Sequence, residues 1–424
     1  MRAWVQFTVV AALVTIGTSQ ETVDPPYGLP DVGLGWLAVG DPGNKGYDLN
    51  ELDNSTLQDL GFRSRLDGRG SVGYQFLITR SEITTGDWFE FVSRFSTLSD
   101  ELGDQLRVLR SGMSEDIFYA GPGTRYTLQD DPLGIVPRSQ LTMQPRHAML
   151  YCNWLHNGRG DDPETLFDGA YDLATFDADP EAAFDSGLFS VRRPDARVWI
   201  PTIDEFLKAA YYTPDKNGSG PGWYYHPHAS DAPPVYAFPP EGDAAPVGMP
   251  FEEYQAAFNF PDWCLPMGMY PDTQSPWGLI DVIAGNREAV AGIDRRGANV
   301  PAPLNDIAMM LVGSSCEVTR PFATLSFRVT ALSISPAGFR LATAGPGQRP
   351  CSLIDYAPPF GLHSQADVLR FLELYLDDGD ERTSILTDPV WYANEDDIAE
   401  FVRLFFEGCA DEPLRGSVAS PINP

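Results

Sequence analysis

The sequence predicts an α+β protein with a small all-α module at its C-terminal end. Helical patterns are few, short apolar stretches typical of strands are many, and long loops separate them. This order differs from the βαβ alternation that builds a parallel sheet. The 39 Gly and 37 Pro of the 424-residue chain favour many turns between short elements. Two similar amphipathic stretches after residue 350 predict the helical module.

The first nineteen residues have the pattern of a signal peptide. Arg2 is a minimal positive region, residues 4–16 are apolar, and residues 17–19 are small. The apolar run is too short to span a bilayer, and no later segment approaches ~18 uninterrupted apolar residues. We therefore expect a secreted or periplasmic protein with no transmembrane segment after signal removal. An uncleaved anchor is the alternative.

The formal charge of -30 excludes some partners. Phosphate binding needs clustered Lys and Arg, and the chain has no basic run, so neither nucleic acid nor an anionic lipid surface is an expected partner. The five Cys are too few for a disulfide scaffold, and their odd number leaves at least one thiol unpaired within the chain.

The N-terminal third after residue 31 predicts two strands and a helix. Residues 37–40 form a short strand that enters the turn 41–44. Residues 72–80 alternate apolar and polar side chains, which indicates a half-buried strand. Thr85 is the expected N-cap of the following helix. That helix carries Trp88, Phe89, Phe91 and Val92 on one side.

The middle of the chain predicts two more helices. Residues 146–157 form an amphipathic helix that stops at Asn157-Gly158. Thr202 and Glu205 have the spacing of a capping box for a helix over 204–211. An ordered loop rich in Gly, Pro and aromatic residues is expected over 213–250. Short strands follow around residues 309–313, 326–329 and 337–341.

Six motifs follow one another along the chain. They are E-I-T at 82–84, Y-C-N-W-L at 151–155, I-P-T-I-D-E-F-L-K-A-A at 200–210, G-L-I-D at 278–281 running to G-N at 285–286, G-S at 313–314 and G-F-R at 338–340. Their order resembles the formylglycine-generating enzyme family, also called sulfatase-modifying factors. The resemblance covers residues 72–342 and implies the family's loop-rich variant of the C-type-lectin fold for residues 32–345. Arg340, in the last motif, is expected to form an ion pair near the closing strand.

The resemblance implies a chemistry for Cys316. Aerobic members of the family oxidise a sulfatase cysteine to formylglycine with oxygen and a copper(I) ion held by two cysteine thiolates five residues apart. Copper(I) is soft and prefers such ligands. Cys316 stands at the first position, but Pro321 stands at the second. Catalysis by Cys316 therefore requires Cys264 or Cys152 to complete the pair in space, and Cys152 lies on an apolar helix, as expected for the core.

The resemblance also implies a calcium site. In the family it is built partly around G-N-V-W-E-W, whereas residues 285–290 read G-N-R-E-A-V. Asn286 and Glu288 are the candidate oxygen ligands. A turn with a solvated Glu288 is the alternative.

His226 and His228 lie two residues apart in the aromatic loop. If the backbone there is extended, both rings point the same way, as in a metal or carbohydrate contact. A chance pair of loop histidines is the alternative.

Residues 351–410 contain an internal repeat with a period of thirty residues, 367–376 against 397–406. Apolar or aromatic positions match at offsets 1, 4, 5, 7, 8 and 9, which predicts two amphipathic helices packed on each other. Cys351 and Cys409 flank them and are expected to form a disulfide. The layout resembles tandem dockerin repeats, although the loop positions lack calcium-binding carboxylates. The module either docks to a surface partner or caps the fold.

Together these patterns predict a signal peptide (1–19), a formylglycine-generating-enzyme-like domain (32–345), a linker (346–350), the helix-pair module (351–410) and a tail (411–424). The expected function is that of an exported binding or structural protein without oxidase activity. Such a protein is attached to the cell surface if its helix-pair module docks there. Its ligand would be a peptide, protein or glycan. The alternatives are an active formylglycine-generating oxidase, for which copper is needed, and a structural component of the envelope tethered through its C-terminal module.

Overall fold

A computed structural model describes most of the central chain and two C-terminal helices. The described residues are 35–48, 68–95, 106, 113–115, 126–130, 134, 136–143, 147–173, 192–193, 196–244, 266–283, 285–292, 308–312, 327–329, 337–345, 365–376 and 395–407. They form a mixture of helices and small sheets, in agreement with the predicted α+β class. Within these ranges, no helix is both long and apolar enough to cross a membrane.

The helices and strands follow one another in an irregular order. The helices are α1 (Thr85–Arg94), α2 (His147–His156), α3 (Ile203–Tyr211), α4 (Gln365–Leu376) and α5 (Glu395–Glu407). The strands are β1 (Trp36–Val39), β2 (Phe76–Thr79), β3 (Met113–Glu115), β4 (Tyr126–Leu128), β5 (Tyr212–Thr213), β6 (Gly222–Trp223), β7 (Glu288–Gly292), β8 (Ala308–Val312), β9 (Phe327–Val329), β10 (Gly338–Phe339) and β11 (Ala342–Ala344).

Strand β2 is the centre of a three-stranded antiparallel sheet with the order β1–β2–β11. Its side chains alternate between two hydrophobic clusters, with Leu77 in one and both Phe76 and Ile78 in the other. The predicted half-buried strand over 72–80 is therefore wrong in two respects. The strand is shorter, and all four of its residues are buried because apolar side chains cover both faces of the sheet.

A second sheet contains four strands in the order β10–β7–β8–β9. Strand β10 pairs with β7 in parallel, and the other pairs are antiparallel. Strands β10 and β11 are separated only by Arg340 and Leu341, so this short segment connects the two sheets. Strands β3 and β4, and strands β5 and β6, form separate two-stranded pairs.

Capping boxes start two of the helices. Thr202 accepts a hydrogen bond from the Glu205 N–H, and the Glu205 carboxylate accepts one from the Thr202 N–H, as predicted. At α1 the prediction is wrong by one residue, because Thr84 is the N-cap and Asp87 completes its box. Thr85 is instead the first helical residue, and its hydroxyl lies 2.8 Å from that of Ser139.

Helix α2 is buried on all sides rather than amphipathic. Its first nine residues are buried, and only His156 is partly exposed. Tyr151, Trp154 and Leu155 lie in the larger hydrophobic cluster, as predicted. The polar Asn153 is accommodated because its amide donates to main-chain oxygens of Leu166 and Tyr171 and accepts from the Tyr171 N–H.

The turn over residues 41–44 is held from two directions. Asn44 Oδ1 accepts from the Val72 N–H at 3.1 Å. The buried Lys208 Nζ donates to the Asp41 carbonyl at 2.7 Å, and burial lowers the pKa of Lys208 to about 8. This turn therefore anchors the end of β1 to α3, and its residues have a structural role.

Candidate functional site

A buried charged group among the described residues is centred on Arg340. Its Nε and Nη2 donate to the two carboxylate oxygens of Glu288 at 2.7 and 3.0 Å, and both side chains are almost completely buried. The guanidinium also donates to the main-chain oxygens of Arg80 and Ile280. The predicted ion pair of Arg340 is thus confirmed. Through these bonds the segment between β10 and β11 is joined to the end of β2, to the loop that contains Ile280, and to β7.

Two more acids lie near this pair. Glu82 is fully buried, and neither of its carboxylate oxygens has a hydrogen-bond partner. Burial, and then the charge of Glu288, raise the pKa of Glu82 well above its ordinary value. Burial also raises the pKa of Asp281 to about 6, against the opposing hydrogen bond from the Gly268 N–H. The charge of Arg340 opposes the rise at Glu82, but the burial of the Glu82 carboxyl outweighs it.

The candidate calcium ligands serve other contacts. Both oxygens of Glu288 accept hydrogen bonds from Arg340, and the Asn286 amide donates to the Leu141 carbonyl at 2.9 Å. Glu288 is buried, so the solvated-turn alternative is wrong for it. Across the described ranges, no group of three or more His, Cys, Asp or Glu residues is arranged to hold a metal ion. An ion at Glu288 would have to displace a guanidinium.

Four of the five cysteines lie outside the described residues, so the copper pair and the disulfide stay predictions. These four are Cys264, Cys316, Cys351 and Cys409. Cys152 is described, is a free thiol, and is fully buried on α2. Burial raises its thiol pKa far above the ordinary range, which disfavours the thiolate needed for a soft metal ion. Its predicted place in the core is confirmed.

The loop after α3 presents aromatic and basic side chains together. Lys216 Nζ lies 5.0 Å from the ring centre of Tyr224 and pairs with Asp231 at 2.8 Å. The rings of His226 and His228 lie 5.6 Å apart with an interplanar angle of 41°. The backbone there is a tight turn rather than an extended strand, since His226 bridges to Ser230.

Helices α4 and α5 pack on each other, as the repeat predicts. The rings of Phe371 and Phe401 stack with their centres 4.1 Å apart, and both side chains are buried. These two residues occupy equivalent positions, four residues after Asp367 and Asp397. Partly buried residues around them are Val368, Tyr375, Ile398, Leu404 and Phe405.

Each helix of the pair also exposes a second set of apolar side chains, and we call the four residues named next the outer face. Leu372 and Leu376 of α4 are 44% and 79% exposed, and Val402 and Phe406 of α5 are 45% and 82% exposed. Leu372 and Val402 are equivalent in the repeat, and so are Leu376 and Phe406. Each helix is therefore apolar on two sides, whereas the contact between the helices buries one.

The sequence contained a signal for the outer face that the predictions did not use. Matching apolar residues at offsets 1, 4, 5, 7, 8 and 9 cover more of a helix than one packing face requires. By contrast, nothing in the sequence indicated that Lys216 would lie over Tyr224, since that contact depends on the path of the loop. Likewise, no local pattern linked Arg340 to Glu288, 52 residues away.

Comparison with known proteins adds no family to these observations: no protein-family model matches the chain, and no curated protein matches it. The resemblance to formylglycine-generating enzymes and to dockerins therefore stays a prediction.

Proposed function

We propose that this chain is an exported binding protein that docks through its C-terminal helix pair and carries a formylglycine-generating-enzyme-like domain without oxidase activity. The outer face is the observation that carries the proposal. On each helix two apolar side chains one turn apart are exposed, and exposed apolar patches mark sites of association. Equivalent positions of both repeats expose them, and a helix pair that only capped the rest of the chain would bury this face.

Charge indicates the chemistry of the partner. Helices α4 and α5 together contain seven acidic and two basic residues, a formal charge of -5, and the whole chain carries -30. A second copy of the chain would bring like charges to the contact, which disfavours self-association. The outer face therefore fits a protein surface on which an apolar strip is flanked by Lys and Arg.

The absence of oxidase activity is argued from the sequence, since Pro321 stands where the family has its second copper ligand. Arg340 and Glu288 satisfy each other in the interior, and the Cys152 thiol is sealed from solvent. The oxidase alternative depends on a second thiolate near Cys316. Copper(I) titration of the reduced protein and of its Cys316→Ser variant tests it directly. Tight stoichiometric binding that the variant loses would revive the oxidase.

The docking proposal is tested with Leu376→Ser/Phe406→Ser in the full chain. Burying two such side chains contributes about 3–5 kcal/mol, so the variant should bind its partner at least about 100-fold more weakly. Val235→Ser, which removes a 55% exposed side chain elsewhere, is the matched control. Circular dichroism checks that each variant keeps its helices.

Two measurements test whether the outer face is the docking surface. The wild-type protein and the control should co-sediment with the cell envelope of the source organism, whereas the double variant should be released. A synthetic amphipathic helix of Leu and Lys should bind the wild type more tightly than the double variant, and its Leu–Glu counterpart should bind neither. Equal envelope association of all three proteins would refute docking through this face. A concentration-dependent dimer lost in the double variant would identify a second copy as the occupant and refute the basic partner.

A further inference from the structure

The segment that follows β6 brings two imidazole rings together by a tight turn. The His226 N–H donates to the Ser230 carbonyl at 3.0 Å, and the three residues between them form the turn. Ala229 in this turn has a φ of 53°, which is uncommon for a residue with a Cβ. The local backbone thus adopts an unfavourable conformation in which the rings of His226 and His228 lie 5.6 Å apart.

His228 has an unused coordination position. Its Nδ1 is buried and has no hydrogen-bond partner, a state that costs free energy unless another group occupies that position. Burial, and then the neighbouring His226, lower the pKa of His228, whereas the carboxylate of Asp243 opposes this. The unpartnered Nδ1 is therefore a position that an added group could occupy, and imidazole nitrogen is a common metal ligand.

We propose that His226 and His228 bind a divalent transition-metal ion of the class that accepts imidazole nitrogen, such as zinc, copper or nickel. The separation of the rings fits this assignment. With metal–nitrogen distances of about 2.0–2.1 Å, each ring centre lies about 3.2 Å from the ion, and two such rings at tetrahedral angles stand about 5.2 Å apart. The observed 5.6 Å needs only a slightly wider angle.

The proposed site is open rather than closed. Among the described residues, no third His, Cys, Asp or Glu joins the pair as a ligand. Water would fill the remaining positions, which is the arrangement of an exchangeable ion rather than of a structural zinc site. The carboxylate of Asp243 acts electrostatically on His228. The site is independent of the outer face of the helix pair, so either proposal can fail alone.

Zinc titration of the full-length protein by calorimetry tests this inference. The variants are His226→Ala, His228→Ala and the double variant, and His156→Gln is the matched control because it removes a histidine at the end of α2. Each single variant should weaken zinc binding at least about tenfold, the double variant should lose this site, and the control should bind like the wild type. Cysteine thiols are present in all four variants, so the differences isolate the imidazole pair.

A second measurement identifies the ligands and guards against misfolding. Electron paramagnetic resonance of the bound copper(II) ion should show splitting by two nitrogens in the wild type and by fewer in His228→Asn, which preserves a polar side chain. Thermal unfolding in the presence of a chelator should be the same for His228→Asn and the wild type. Identical zinc isotherms for the wild type and the double variant, or no binding of zinc, copper or nickel by the wild type, would overturn the proposal.

Discussion

Replacement of Arg340 by Met should be one of the most destabilising single changes in the described part of the protein. The substitution leaves the buried Glu288 without its guanidinium, which costs about 3–5 kcal/mol when one partner of a buried pair is removed. The Ile280 carbonyl also loses a donor at 2.7 Å, which adds about 1 kcal/mol. A total of about 4–6 kcal/mol is comparable with the whole stability of many domains.

The same reasoning predicts partial recovery in a double variant. Glu288→Gln removes the charge that Arg340→Met leaves unpaired. The loss of unfolding free energy in Arg340→Met/Glu288→Gln should therefore be smaller, by at least about 2 kcal/mol, than the sum of the losses in the two single variants. Arg340→Lys is a milder step, because it preserves the charge but not the planar fork that reaches both oxygens. All variants are compared by urea unfolding at pH 7, followed by tryptophan fluorescence and circular dichroism.

The pH provides an independent check of the mechanism. In Arg340→Met, Glu288 can avoid the cost of its unpaired charge by taking up a proton, so the loss of stability should be smaller at pH 5 than at pH 7. A loss below about 1 kcal/mol at pH 7, or strictly additive single effects in the double variant, would refute the view that this ion pair holds the two sheets together.

Three further predictions concern neighbouring groups. Gly338→Ala should destabilise the protein by more than about 1 kcal/mol in urea unfolding, because a Cβ there would overlap the Glu82 carboxylate. Gly160→Ala, with open space around the new Cβ, should be neutral. Equal effects of the two would contradict this packing. Asp281 has a folded pKa of about 6 against an ordinary 3.8, so the folded state holds its proton longer and stability should fall as pH rises from about 4 to 7. Asp281→Asn should remove up to about 3 kcal/mol of that fall, and an unchanged pH profile would count against it. Lys208 has a folded pKa of about 8 against 10.5, so the unfolded state binds more protons between these values and stability should rise over that interval. Lys208→Met should flatten this rise in thermal unfolding at pH 8–10, and a rise of the same size in the variant would refute the assignment.

Local chemistry made part of the fold predictable. The capping box at Thr202 and Glu205 needs only a residue spacing, and it is found as expected. The error at α1 is instructive, because Thr84 and Thr85 can both cap a helix. Only Thr84 has an acidic residue, Asp87, three positions later, and that spacing favours it.

Burial and long-range pairing were harder to predict. Helix α2 has the spacing of an amphipathic helix, but Asn153 finds three main-chain partners and so can lie inside. The ion pair of Arg340 was expected, whereas its partner Glu288 was predicted as a metal ligand or a solvated side chain. Sequence distance conceals which charges meet, since the path of the chain between them decides it. The turn at His226 is a similar case, because its close approach to Ser230 depends on a left-handed Ala229 that no local preference favours.

The sheet β1–β2–β11 has a consequence for the order in which the chain can fold during synthesis. Strand β2 pairs with β11, and Leu341 bonds to Thr79 across 262 residues of sequence. Until residues 342–344 emerge, one edge of β2 has no partner, and the hydrophobic clusters on its two faces cannot close. Contacts of such separation form slowly. A chain that is exported while it is still being made would therefore pass through the membrane before its central sheet is complete. A chain truncated before residue 342 would retain an open, apolar edge that favours aggregation.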